Sequence, residues 1–203
     1  MDTYSSMTSL LAALPARENY VFNIGRSFRS KVKIFVPHGG CIEPCTEPLA
    51  LAVANGLFDH FAFRGVRKKD CFRTLHVTST HYDEPQCISM ARESGIAVAF
   101  HGCDGAEELI QIGGGNTTYA QELRTLLCGK GYPAVAASRG ILGEDDRNFI
   151  NLAAMKGLQL EFSAGFRKRL FPSFPGSLQR HPTDLPAFVE VLRGWLVDIE
   201  NSV

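Results

Sequence analysis

The residues of this chain able to do chemistry sit where strand-forming runs give out. In Ile34-Phe-Val-Pro-His-Gly-Gly-Cys-Ile-Glu43 such a run stops at Pro37, His38 follows at once, and Glu43 lies five residues beyond the imidazole. Proline cannot donate to a sheet ladder and glycine admits backbone shapes closed to other residues, so the strand is predicted to end here and hand His38 and Glu43 to a tight loop. One imidazole nitrogen and one carboxylate oxygen on a short tether suit a divalent cation. Zinc fits best, because its catalytic sites use three protein ligands and keep a position for water. A capped, hydrogen-bonded turn would use the same two residues.

A second stretch repeats this logic. Ile96-Ala-Val-Ala-Phe100 is nearly continuous in apolar residues, as in a strand covered on both faces, and it delivers His101-Gly-Cys-Asp-Gly105. Neighbouring strands lie about 5 Å apart, so two such exits can bring His38, Glu43 and His101 to one ion. In Leu158-Gln-Leu-Glu-Phe162 the alternation puts Glu161 on one face with Gln159 and Ser163. A carboxylate in an interior strand is costly to bury alone, so Glu161 faces solvent, forms an ion pair or serves a site. The polar cluster Thr78-Ser-Thr-His-Tyr-Asp-Glu-Pro85 would lie at the carboxyl end of a sheet, where α/β proteins bind ligands, but Asp83-Glu84-Pro85 can also open the following helix, and capping accounts for most of the cluster. His60, His76 and His181 have no companions at suitable spacing and read as surface or core residues.

The elements that must position these groups alternate between strand and helix patterns. Strands are expected over 20–24 and 33–36, paired as a hairpin, and over 61–63, 75–78, 96–100, 108–112, 132–137 and 158–162. Helical spacing covers 47–57, closing at Asn55-Gly56, and 86–94, 116–127, 165–170 and 184–199. Residues 171–182 form a Pro-rich loop, and residues 1–18 form an N-terminal segment free to move beside a single domain over 19–203. This order predicts one α/β domain with a mixed, mostly parallel sheet flanked by helices.

Composition narrows the function. Lys and Arg number 21, as do Asp and Glu, so there is no basic footprint for generic nucleic-acid binding. No apolar run approaches the ~20 residues of a membrane span, and Leu10–Ala16 is too short, and follows an acidic start, to act as an export signal. Cytoplasmic synthesis of a monomer is expected. Six cysteines without a CxxC pair read as reduced, Cys71, Cys87, Cys103 and Cys128 being small buried hydrophobes. Gly113-Gly-Gly115 lacks the lysine of a phosphate-binding loop.

Four blocks together carry a resemblance: His38-Gly-Gly-Cys-Ile-Glu-Pro44, His76 through Pro85, His101-Gly-Cys-Asp-Gly105, and Gly157-Leu-Gln-Leu-Glu-Phe-Ser163. In this order the chain resembles the poly-γ-glutamate hydrolases of bacteriophages and bacilli. The resemblance implies a zinc-carboxypeptidase-like fold, one zinc ion, and cleavage of a γ-linked glutamate polymer, with release by host lysis. It implies His38, Glu43 and His101 as zinc ligands, Glu161 as general base, and Asn148, Asn151 and Arg167 as functional residues. Arg139, Arg167 or Arg169 would then serve the oxyanion or the anionic substrate, and Asp83 would orient a ligand histidine. Cys41 replaces a usual glycine, with Cys45 close by, which raises a thiolate ligand as an alternative. Ala164 replaces a frequent arginine. Another acidic amide or a peptidoglycan-like peptide as substrate, and a silent metal-stabilised binding module, remain the competing readings.

Overall fold

Hydrophobic alternation along the central strands divides the interior into two cores, one on each face of a sheet. The computed structural model describes residues 2–27, 30–172, 174–175 and 184–203. Its strands are β1 (Tyr20–Gly25), β2 (Val32–Gly40), β3 (Asp59–Gly65), β4 (Ile96–Cys103), β5 (Ile110–Gly113), β6 (Ala134–Ala136) and β7 (Gly157–Ser163). They form one sheet in the order β1-β3-β2-β4-β7-β5-β6. Pairs β2/β3, β2/β4, β4/β7 and β5/β6 are parallel, while β1/β3 and β5/β7 are antiparallel. The expected mixed, mostly parallel sheet is thus observed, with β2, β4 and β7 side by side at its centre.

Ile34, Val98, Phe100, Leu158 and Leu160 enter the first core, where they meet α2 (Thr46–Ala54), α5 (Thr117–Gly129), α6 (Ala164–Leu170) and α7 (Leu185–Ser202). Phe35, Ala97 and Ala99 face the other way, towards α1 (Met7–Ala13), α3 (Cys71–Leu75) and α4 (Pro85–Arg92). Met7 and Leu10 of α1 are fully buried there, so the N-terminal segment packs on the sheet. Asn55 and Gly56 close α2 with φ of 40° and 74°, the left-handed exit that the Asn-Gly pair predicted. Glu84 caps α4 by accepting from the Cys87 amide, with Pro85 in the first turn.

Four local expectations change. β1 does not form a hairpin with β2; it lies antiparallel to β3, where Tyr20 packs on Phe63 at 5.1 Å and Phe22 on Phe61 at 5.6 Å. Those cross-strand aromatic pairs outweigh the short connection. The strand expected over 75–78 is absent: Cys71–Leu75 is helical, and the chain continues into a 3₁₀ turn at Ser79–His81. β2 does not stop at Pro37 but absorbs it, the pairing with β3 slipping by one residue between Val36 and Gly39 and resuming to Gly40. This bulge re-aims the His38 side chain. Finally, the cysteines are not all free, because Cys41 and Cys71 form a disulfide. His181 and most of the Pro-rich loop lie outside the described residues.

Candidate metal and catalytic site

The carboxyl ends of β2, β4 and β7 converge on one cavity of about 620 Å³, lined among others by His38, Glu43, His76, His101, Asn148 and Glu161. Parallel pairing does the positioning: in the β4/β7 ladder His101 stands opposite Glu161, both on the face that carries Ala99 and Gln159. The Glu43 amide bonds back to the His38 carbonyl at 2.9 Å, closing the loop that holds the two side chains together.

His38 Nε2 sits 2.9 Å from the Val77 carbonyl, which can only accept, so that nitrogen carries the proton and Nδ1 keeps its lone pair. Nδ1 lies 2.9 Å from Glu43 Oε1. The contact lies off the direction of a hydrogen bond, and His38 Nδ1 remains a buried nitrogen without a hydrogen-bond partner, as does His101 Nε2. Glu43 Oε2 accepts from the Gly102 amide at 2.7 Å and stands 3.8 Å from His101 Nδ1. A carboxylate set between two imidazoles, 2.9 Å from one without a hydrogen bond and 3.8 Å from the other, suits donors aimed at a shared cation.

Electrostatics favours the same occupant. Burial holds the His101 imidazole neutral, with a pKa of about 3, the form in which histidine binds metals. Burial opposes charge on His38 too, but the Glu43 carboxylate overcomes it and the His38 pKa rises. At Glu43 burial pushes the pKa up while His38 and His101 pull it down more strongly. Glu161 goes the other way: burial, then the charge of Glu43, raises its pKa to about 8. Two carboxyls pushed apart in this fashion meet the requirement for a site that needs one anion and one proton carrier.

A family model described as poly-gamma-glutamate hydrolase matches residues 4–192. The chain belongs to the poly-γ-glutamate hydrolase family. YmaC of Bacillus subtilis (strain 168) is 32% identical over 201 residues, covering 96% of this chain and 84% of YmaC. YndL of the same organism is 31% identical over 148 residues, 71% of this chain and 58% of YndL. Among solved structures, a bacteriophage poly-γ-glutamate hydrolase superimposes with a TM-score of 0.90 at 28% identity, covering 100% of both chains. A zinc-free YndL gives 0.87 at 27% identity over 98% of each chain.

Within this member of the poly-γ-glutamate hydrolase family, the residues anticipated from sequence separate into cavity and scaffold. Glu161 and Asn148 line the cavity. Arg167 does not: Nε donates to the Phe162 carbonyl at 3.0 Å, Nη1 to Pro44 at 2.8 Å and Nη2 to Cys103 at 2.9 Å. Its guanidinium is thereby committed to backbone beneath the Glu43 loop and the β4 exit, which corrects its assignment to the oxyanion. Arg139 is exposed and outside the cavity lining. Arg169 is ion-paired with Glu108 and Asp184. Asn151 spends its amide on the Gly143 and Asp145 carbonyls, at 2.9 Å each, and so shapes the cavity loop without reaching into it. Asp83 accepts from the Thr8 amide at 2.8 Å, so it holds α1 and orients no histidine. The disulfide removes Cys41 as a thiolate ligand, and burial raises the Cys45 thiol pKa.

Two residues escaped the sequence reading. Gln159 receives Asn148 Nδ2 at 3.0 Å and donates Nε2 to Glu161 Oε1 at 2.9 Å, a relay that fixes the carboxyl. Its place on the Glu161 face was the available signal. His76 stacks on His38 with ring centroids 4.2 Å apart, and the donor atoms of His38, Glu43 and His76 all lie within 4.8 Å of one another. Reading it as a packing residue rested on linear spacing, and the helical turn of α3 is what carries it to the site.

Proposed function

We propose that this chain is a zinc-dependent hydrolase that cleaves γ-glutamyl amide bonds of poly-γ-glutamate. Membership in the family supports the substrate class. The observation that carries the chemistry is the Glu43 carboxylate set between two buried imidazoles, each with one nitrogen left without a hydrogen-bond partner, in the cavity that Glu161 also lines. His38, Glu43 and His101 would hold the ion. When bound, zinc supplies Lewis acidity, polarising the amide carbonyl and making a water acidic near neutral pH.

This chain's own residues do the rest. Glu161 in its carboxylate form takes the proton of the attacking water and returns it to the departing amine, and the pKa raised to about 8 makes that carboxylate a stronger base than an ordinary one. Gln159 and Asn148 keep that carboxyl aimed during both transfers. The Val77 carbonyl fixes the His38 tautomer. Arg147 at the cavity rim, paired with Asp145 at 2.6 Å, is a cation able to meet a substrate carboxylate by exchanging partners.

Purified protein incubated with poly-γ-glutamate, with and without a chelator, tests the reading. Polymer length measured by size exclusion should fall only in the sample without chelator. Unchanged polymer in zinc-loaded samples would reject the substrate, and cleavage surviving full zinc removal would reject the mechanism.

A further inference from the structure

The α3 helix and the N-terminal residues bring a second His–carboxylate pair against the first. His76 Nδ1 lies 2.8 Å from Asp2 Oδ1, and the other oxygen of Asp2 accepts the Thr78 amide at 2.8 Å. The carboxylate is therefore anchored on the backbone just beyond the histidine it holds. A carboxylate at Nδ1 takes the ring proton there and leaves the lone pair on Nε2. The ring is also clamped in its plane, with Phe72 at 4.6 Å on one side and His38 at 4.2 Å on the other, each tilted by 29°.

A ring that served packing alone would need neither the anchored carboxylate nor a donor atom within 4.8 Å of those of His38 and Glu43. Metal-ligating histidines characteristically pass their other N–H to a carboxylate, which sets the tautomer and raises ligand basicity. We propose that His76 is a further ligand to the ion of this site, that Asp2 is its orienting carboxylate, and that the N-terminal segment is thereby part of the metal centre. This rests on the zinc reading above.

Zinc affinity of the full chain, measured by competition with a chromophoric chelator, tests the assignment, alongside the visible spectrum of the cobalt-substituted protein. Asp2→Asn should weaken zinc by about 10–100-fold. His76→Ala should weaken it further and alter the cobalt bands. Thermal unfolding of the metal-free variants checks that the fold survives; if His76→Ala does not fold, the near-isosteric Asp2→Asn decides alone. Parent affinity and parent cobalt bands in both variants, with zinc lost in His38→Ala, would overturn the role of His76 and leave the zinc site standing. A parent protein that takes up no zinc would overturn the underlying reading together with this one.

Discussion

Glu161 is the residue whose chemistry is most exposed to test. Its carboxyl is buried and near Glu43, yet it receives one hydrogen bond, from Gln159, so the carboxylate form has support without being dominant. Glu161→Gln keeps the shape and removes the proton acceptor. We expect zinc content to match the parent while hydrolysis falls by about 10²–10⁴-fold, the usual worth of a positioned acid-base group. Zinc analysis beside polymer sizing reads both; an active Glu161→Gln protein would remove Glu161 from the reaction. Gln159→Leu leaves the carboxyl in place without its donor, so metal binding should persist and turnover should drop by a smaller factor. At this scale the sequence was informative where chemistry follows a strand: His38, His101 and Glu161 were legible because each ends or occupies an apolar run. Arg167 misled because a charge count cannot tell a guanidinium reaching into a cavity from one consumed by three carbonyls.

Elements position the site through two close approaches. The first is at Gly102, where an added Cβ would lie 2.6 Å from Arg167 Cζ. Gly102→Ala must displace the guanidinium that supports Pro44 and Cys103, and overpacking of this kind costs about 1–3 kcal/mol. Denaturant unfolding should show that loss, accompanied by weaker zinc binding because the Gly102 amide also holds Glu43. The second is the Cys41–Cys71 bridge, which ties the loop after β2 to α3 across a separation of 30 residues. Closing a loop of that length contributes about 3–4 kcal/mol in the chain-entropy picture. The double variant Cys41→Ser, Cys71→Ser should lose stability of that order by denaturant titration, and equal midpoints with and without the bridge would contradict it. Neither feature was legible beforehand, for one reason: each depends on which β-exits lie side by side. Local periodicity gave the helices at 47–57, 86–94 and 116–127, but pairing order comes from contacts such as Tyr20 with Phe63, which no local window contains.

Across the whole molecule the charges are sorted to opposite ends of the sheet. The cavity occupies the carboxyl ends of the central strands, while at the other end Lys33 of β2, itself buried, reaches Asp59 of β3 at 3.5 Å and Glu93 after α4 at 3.3 Å. Arg26 joins the same carboxylates at 3.5 Å and 3.1 Å. The network fastens β2, β3 and α4 together far from the chemistry. Hydrogen bonds from Ser89, Arg26 and Lys33 hold the Glu93 carboxyl down at about 2. A carboxyl whose folded pKa lies below its unfolded value stabilises the fold fully above the unfolded value of about 4.5, and that contribution drains away as pH falls towards 2. Glu93 is 49% exposed, so solvent screening limits the benefit to about 0.5–1 kcal/mol. Glu93→Gln should therefore be less stable than the parent by that amount at pH 7, and the two unfolding curves should converge as pH drops from 5 to 2. A gap that stays constant over this range would assign the loss to packing, and a gap that widens would reverse the sign of the ion-pair argument. Because the network lies at the far end of β2 from Glu43, zinc affinity in Glu93→Gln should equal that of the parent at neutral pH, which separates the fastening of the sheet from the chemistry it supports.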